Sequence, residues 1–286
     1  MSLQSSTITT RHPFRNLTHF HSDEKSLITA FEVFEFAPNL VELVWARQSA
    51  AYPVATAMQP FTLPRLRRLV LGTPMPLTKL RAPQLQQLTT TLAPNSTDLI
   101  IDFIHRSSCH SSLVELAIGD CTIAERTIEL LSSVPALQTL VMYGKHKPGL
   151  VLSQIFDAMA VPHDGTAPTL LPQLASFALY RGLHFPLATT GTPGTVQGLQ
   201  HYAYALQLQA SRLAFTNMVH SRAADSYSLP LKSVRVATGE EELLGRNRVA
   251  ISRTLEELQA QGLDAKIVGW EDRQKEVKTL EGPSWM

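Results

Sequence analysis

Apolar residues along the chain fall into a short unit that keeps returning. It reads "APNLVELVW" from residue 37, "LPRLRRLVL" from 63, "RAPQLQQLTT" from 81, "HSSLVELAI" from 110, "VPALQTLVM" from 134, "LPQLASFAL" from 171 and "LPLKSVRV" from 229. Each unit has an apolar residue, two variable ones, a second apolar residue, one variable position and usually a third apolar residue, often with proline two places ahead. Alternation of this kind puts every other side chain on one face of a strand. Strands are predicted at 40–45, 66–71, 113–118, 137–142 and 174–179, paired in parallel as one sheet. Between them the period changes to that of a helix. Leu152, Ile155, Phe156 and Met159 form a stripe at i, i+3, i+4 and i+7, and Ile100, Phe103 and Ile104 form a shorter one behind Ser96, Thr97 or Asp98 as candidate caps. Ile128 with Leu131, Phe215 with Met218 and Val219, and Ile251 with Leu255 and Leu258 predict three more helices, the last stopped by Gly262.

The first apolar positions, Leu40, Leu66, Leu85, Leu113, Leu137, Leu174 and Leu231, are 26, 19, 28, 24, 37 and 57 residues apart. A weaker copy, Leu17 with Phe20, lies 23 residues before Leu40. These steps centre on the ~20–29-residue period of leucine-rich repeats, and the longest leaves room for a degenerate unit between 180 and 228. Residues 113–123, "LVELAIGDCTI", match the repeat consensus at every fixed position, with Cys121 as the small residue turned into the loop. The fold class expected is an α/β leucine-rich-repeat solenoid, a ribonuclease-inhibitor-like horseshoe with a parallel sheet inside and helices outside. It would span residues 14–268, between a flexible segment 1–13 and a charged tail 269–286. Neither a lone strand nor a lone helix buries its apolar side, whereas stacked units share one core. Trp270 is expected to cover an open end.

Composition narrows the function. With 286 residues and 44% hydrophobic content, the chain can bury a substantial core. Its 25 basic residues nearly balance 24 acidic ones, which removes the broad positive field that nonspecific nucleic-acid binding needs, so no nucleic-acid partner is expected. No apolar run reaches membrane-spanning length, and the opening "MSLQSSTITTRHPF" has no apolar signal core, so no membrane partner is expected and the cytoplasm or nucleus is the predicted compartment. The sequons at Asn16 and Asn95 are then chance matches. Cys121 is read as a buried, inert thiol; Cys109, just before the strand, has no Cys-x-x-Cys partner, and a disulfide between the two is not expected.

Candidate chemistry is thin. His19, His21 and Asp23 alternate and would share one strand face, a possible metal set with no further ligand pair; an exposed first repeat explains them as well. His105 and His110 flank Cys109 without an evident orienting group. The loop "TTGTPGTVQG" lacks the Gly-Lys-Ser/Thr ending of a phosphate loop. No cofactor, metal or catalytic set is predicted, and an enzyme, of hydrolase type, is the remote reading.

The ordered series "LPRLRRLVL", "LRAPQLQQL", "IIDFIHRSSCHSSLVELAIGDCTI", "LLSSVPALQTLVMYG", "LLPQLASFAL", "MVHSRAADSYSLPLKSVRV" and "LQAQGLDAKIV" resembles the leucine-rich-repeat region of fungal, basidiomycete-type F-box-like proteins. The resemblance implies a noncatalytic protein-binding scaffold, the substrate-recognition repeats of a ubiquitin-ligase receptor. The first forty residues read as repeat material and show no F-box, so a cullin-ligase adaptor is an expected partner only where an F-box lies upstream. The alternative is a free-standing regulatory repeat protein, an inhibitor or tether with no ubiquitin role. In either case the partner is a protein on the concave face, at Glu42, Arg47, Arg68, Glu115, Asp120, Tyr143, Tyr180, Arg181 and Arg235. Arg68, Tyr143, Tyr180 and Arg181 are the expected anchors, because Arg and Tyr dominate interface hot spots.

Overall fold

The computed structural model describes residues 14–22, 37–45, 60–72, 74–91, 96–119, 125–144, 150–162, 164, 166–181, 210, 213–223, 231–237, 253 and 255–268. The expected flexible segment 1–13 and charged tail 269–286 lie outside them, as do Asp23, Arg47, Asp120, Cys121, Ile251 and Trp270.

Each unit begins with a tight turn. The N–H of the first leucine bonds back to the carbonyl three residues earlier: Leu40 to Ala37 (3.1 Å), Leu66 to Leu63 (3.2 Å), Leu85 to Ala82 (3.2 Å), Leu137 to Val134 (3.1 Å) and Leu174 to Leu171 (3.1 Å). The recurrent proline, at 38, 64, 83, 135 and 172, is the second residue of that turn, where its locked φ is already the one required. The turn's first residue is an apolar anchor: Ala37, Leu63, Ala82 and Val134 are fully buried. In the fourth unit, where the turn is one residue longer, Cys109 is that anchor, with both Ser112 and Leu113 donating to its carbonyl.

Strands follow each turn. β1 (His19–Ser22), β2 (Glu42–Trp45), β4 (Arg68–Leu71), β6 (Gln87–Thr91), β7 (Glu115–Gly119), β8 (Thr139–Gly144), β9 (Ser176–Arg181), β10 (Ser233–Ala237) and β11 (Asp264–Val268) form a nine-stranded sheet. Each pairs in parallel with its neighbour in that order. The strands therefore start two residues after the leucine that opens the unit, because that leucine belongs to the turn. β3 (Phe61–Thr62) and β5 (Leu80–Arg81) make a separate two-stranded parallel pair on either side of β4, with a 3-10 turn at Met75–Thr78 just before β5.

Pairing is in register throughout, so equivalent residues line up across the sheet. Leu43, Leu69, Leu88, Leu116, Leu140, Phe177, Val234 and Ala265 form one buried row. Trp45, Leu71, Thr90, Ile118, Met142, Leu179 and Val236 form the next inward row. Helices cover this face. α1 (Thr97–Ser107) buries Ile100, Phe103 and Ile104, α2 (Glu125–Ser132) buries Leu130 and Leu131, and α3 (Leu150–Met159) buries the whole predicted stripe Leu152, Ile155, Phe156 and Met159. Ser96 takes the N-cap position of α1 without a side-chain cap bond. α4 (residues 213–223) contributes Phe215, Met218 and Val219, and α5 (residues 255–260) contributes Leu255 and Leu258. Gly262, at φ +89°, ends α5 while Leu263 N–H returns to the Leu258 carbonyl (3.1 Å). The chain is thus α/β with a mostly parallel sheet.

The expected extra unit between 180 and 228 does not enter the sheet, because β9 pairs directly with β10, Ser176 opposite Ser233. Among the described residues one helix, α4, lies in that step, and it packs against α3. Phe156 of α3 and Phe215 of α4 meet with ring centroids 5.4 Å apart, and Phe156 stands edge-on to Phe177 of β9 at 5.9 Å. Arg222 of α4, fully buried, ties this region together. Its guanidinium donates to the carbonyls of Met159, Leu170 (3.1 Å), Leu171 (2.7 Å) and Leu174 (3.3 Å). It thereby caps the end of α3 and holds the turn in which Leu171 adopts a positive φ of 50°.

Leu116 sits in the inner row between Leu88 and Leu140, with no exposed surface. Leu116→Ala is expected to cost about 2–5 kcal/mol by cavity formation, measured by urea denaturation, while Glu115→Ala, on the opposite face, leaves the midpoint much nearer the parent's; equal midpoints would reject the inward row. Arg222→Met is expected to lose about 2 kcal/mol or more, since several carbonyls lose their donor in a dry site. Arg253→Met, at an exposed site, is the control, and parity between the two refutes the tie.

Candidate protein-binding surface

Strand alternation sends the remaining side chains to the face turned away from the helices. Its outermost row is polar and continuous: His19, Glu42, Arg68, Gln87, Glu115, Thr139, Ser176, Ser233 and Asp264 are register partners from β1 to β11. Short-chain Thr139, Ser176 and Ser233 follow Glu115 at its sixth to eighth positions, each half-buried. The next row is mostly small and apolar, with Val44, Val70, Thr89, Ala117, Val141 and Ala178 all buried, and turns cationic at Arg235 and Lys266. A third row brings Gly119, Tyr143 and Tyr180 side by side. Ala117, Val141, Tyr143, Ala178, Tyr180 and Val268 form an apolar cluster separate from the main core.

The predicted anchors are distributed unevenly across this surface. Tyr143 and Tyr180 are register partners on the expected face, yet only 7% and 4% exposed. Tyr143 lies over Gly119, where an added Cβ would fall within 2.8 Å of its hydroxyl and closer still to its ring. Bulky rings on neighbouring strands pack over small residues rather than stand free in solvent. Arg181 directly follows Tyr180 in β9 and pairs opposite Gly144. Glu42, Arg68, Glu115 and Arg235 do lie on this face. Arg47 and Asp120 fall outside the described residues.

Charges on the face are largely matched within the chain. Arg68 pairs with Glu42, on which His21 (3.2 Å) and His19 (3.9 Å) also converge. The two histidines do share a face, but their carboxylate already has a guanidinium partner. Among the described residues no group of three or more His, Cys, Asp or Glu side chains is placed to hold a metal. At the far end Arg235 donates to the Asp264 carboxylate and to its backbone carbonyl (2.7 Å), and this bond holds the Asp264 carboxyl below its ordinary value. Gln87 donates to Glu115 (3.0 Å), whose carboxyl is raised above its ordinary 4.5 by burial, partly offset by the positive charge of Arg68.

The Cys109 thiol is fully buried, 3.9 Å from the Ile104 carbonyl, and burial pushes its pKa up to about 11. No helix among the described residues is long and apolar enough to cross a membrane. In comparison with known proteins, the chain matches no family model, no curated protein and no solved structure. Reading the sequence by its leucines placed the faces but missed Thr139, Ser176 and Ser233. The available signal was their shared position, one residue before the second apolar residue of each unit.

Because the folded state raises Glu115, it binds that proton more tightly than the unfolded chain does. The resulting stabilisation is complete below the unfolded pKa and is lost as pH rises through the folded one. Glu115→Gln, which retains an acceptor for Gln87, is therefore expected to be more stable than the parent at neutral pH. Thermal melts across the carboxylate range should show this gain shrinking on acidification; a gain that grows as pH falls has the wrong sign.

Proposed function

We propose that this protein is a noncatalytic protein-binding scaffold. On this reading it is a leucine-rich-repeat solenoid of the kind that forms the substrate-recognition arm of F-box-like ubiquitin-ligase receptors, acting from the cytoplasm or nucleus. The observation that carries the proposal is the polar row running without a break across nine strands paired in chain order. At the usual strand spacing of ~4.8 Å the row extends about 38 Å. That is enough for the roughly 800 Å² per partner of a specific protein complex.

Several features support binding rather than chemistry. On the face Glu42 pairs with Arg68 and Asp264 with Arg235, and the Cys109 thiol is buried with its pKa raised. On β8, β9 and β10, Thr139, Ser176 and Ser233 offer short hydroxyl groups on the strands that carry the Tyr143–Tyr180 cluster. An apolar centre with a polar margin is the usual plan of an interface. The ubiquitin connection rests on the resemblance of the repeat series alone. An F-box joined upstream would make the repeats a receptor, and without one the same surface would serve a tether or inhibitor.

The test is to identify a partner by cross-linking and mass spectrometry, then to place arginines in the row. Thr139→Arg with Ser176→Arg puts two bulky cations at adjacent register positions. Once circular dichroism shows an unchanged fold, partner binding is expected to weaken by about 2 kcal/mol or more, as for a hot-spot change, read by titration calorimetry. Undiminished binding by that folded variant removes the strand face from the proposal.

A further inference from the structure

The strand-entry edge of the sheet has a charge pattern unlike the rest of the molecule. It is built from the turns and first residues of each unit, at 14–18, 37–41, 63–67, 82–86, 109–114, 134–138, 171–175 and 231–232. These segments contain Arg15, Arg65, Arg67, His110 and Lys232 but no aspartate or glutamate, although the whole chain carries 24 acidic residues. Acids are placed instead on the strand face, beginning with Glu42, one residue beyond the edge.

Within this edge Val41, Arg65, Arg67 and Gln84 line an open groove of about 420 Å³. The backbone fixes it firmly. Arg65 is the third residue of the Leu63–Leu66 turn, Gln84 is its equivalent in the Ala82–Leu85 turn, and Arg67 N–H is bonded to the Val41 carbonyl at 2.8 Å. The guanidinium groups are not similarly engaged. Arg65 and Arg67 are both exposed, and among the described residues neither has an ion pair or a side-chain hydrogen bond. They share this with the exposed Arg15 and Arg81, whereas the guanidinium groups of Arg68, Arg106, Arg126, Arg222, Arg235 and Arg253 bond within the chain; only Arg65 and Arg67 line the groove. Two like charges held two residues apart on a rigid turn repel, and an oxyanion between them relieves that repulsion while accepting up to two bonds from each planar fork.

We propose that this groove is an oxyanion site for an extended peptide carrying a carboxylate or a phosphate. Arg65 and Arg67 take the anionic group, Gln84 pairs with the peptide's backbone through an amide that both donates and accepts, and Val41 supplies an apolar floor. The groove's four lining residues include no aromatic ring to stack a base, and the chain lacks the net positive charge of a nucleic-acid binder. The site lies on the edge of the sheet rather than its strand face, so it stands whether or not that face binds a partner.

Fluorescence anisotropy of the full chain with three labelled peptides tests the assignment. One carries a central Asp-Glu pair, one a phosphoserine, and one the matched Asn-Gln pair. The first or second is expected to bind more tightly than the neutral peptide and to weaken as salt is raised. The double variant Arg65→Gln, Arg67→Gln is expected to bind the preferred peptide about tenfold or more weakly, while Lys232→Gln, on the same edge but away from the groove, stays within about twofold. Circular dichroism and the thermal midpoint establish that the double variant is folded; if it is not, Arg65→Gln alone is used, since its side chain makes no bond among the described residues. Acidic peptides that bind no better than the neutral one overturn the proposal, as does a folded variant of full affinity. Inorganic phosphate binding without either peptide, or a single-stranded oligonucleotide that outcompetes both, overturns it as well.

Discussion

One backbone interaction sets the geometry of everything else. At each strand entrance from β1 to β9 a single carbonyl accepts two N–H groups from the start of the next strand in the sheet. The Val41 carbonyl takes Arg67 and Arg68, that of Arg67 takes Gln86 and Gln87, that of Gln86 takes Val114 and Glu115, and that of Val114 takes Gln138 and Thr139. The same contact recurs from Gln138 and from Ala175. It locks successive strands in register, so residues at the same place in each unit become neighbours across the sheet. Rows of leucine and rows of short polar side chains follow from it. A slip by one residue would send every leucine to the wrong face.

Irregular loop lengths are absorbed on the helix side without disturbing that register. The step from Leu113 to Leu137 and the much longer step from Leu174 to Leu231 both end in strands paired directly with their predecessors. Aromatic contacts among Phe156, Phe177 and Phe215 fill the wider layer. Buried guanidinium groups close its polar ends. Arg222 serves the carbonyls after α3, and Arg106 reaches from α1 to the carbonyls of Leu77 and Leu80 around the 3-10 turn. Arginine suits this use because its planar head offers five donors on a long apolar stem.

Register also governs the face that remains. Neighbouring strands hold Glu42 beside Arg68 and Arg235 beside Asp264, so charges that read as partner contacts in one dimension neutralise each other in three. Tyr143 finds Gly119 across the ladder and folds down onto it. The strand face is therefore internally satisfied at its ends and apolar near its centre. Among the described residues the entry edge retains three guanidinium groups without carboxylates, those of Arg15, Arg65 and Arg67.

Much of the architecture was legible in the residues alone. The leucine spacing located the strands and their common sheet, the Leu152–Met159 stripe located a helix, and the Phe20 copy anticipated β1, because burial on one side imposes a period that survives in the sequence. Prolines marked the turns, and Gly262 marked the end of α5. Pair identities were not legible. That β9 adjoins β10 across a gap of 57 residues, that Arg222 ends among carbonyls, and that Tyr143 and Tyr180 are covered are all consequences of which strands become neighbours. A sequence records the side each residue prefers, through hydrophobicity. Only the folded chain decides which residues stand opposite one another, because that choice depends on register and on contacts between segments far apart along the backbone.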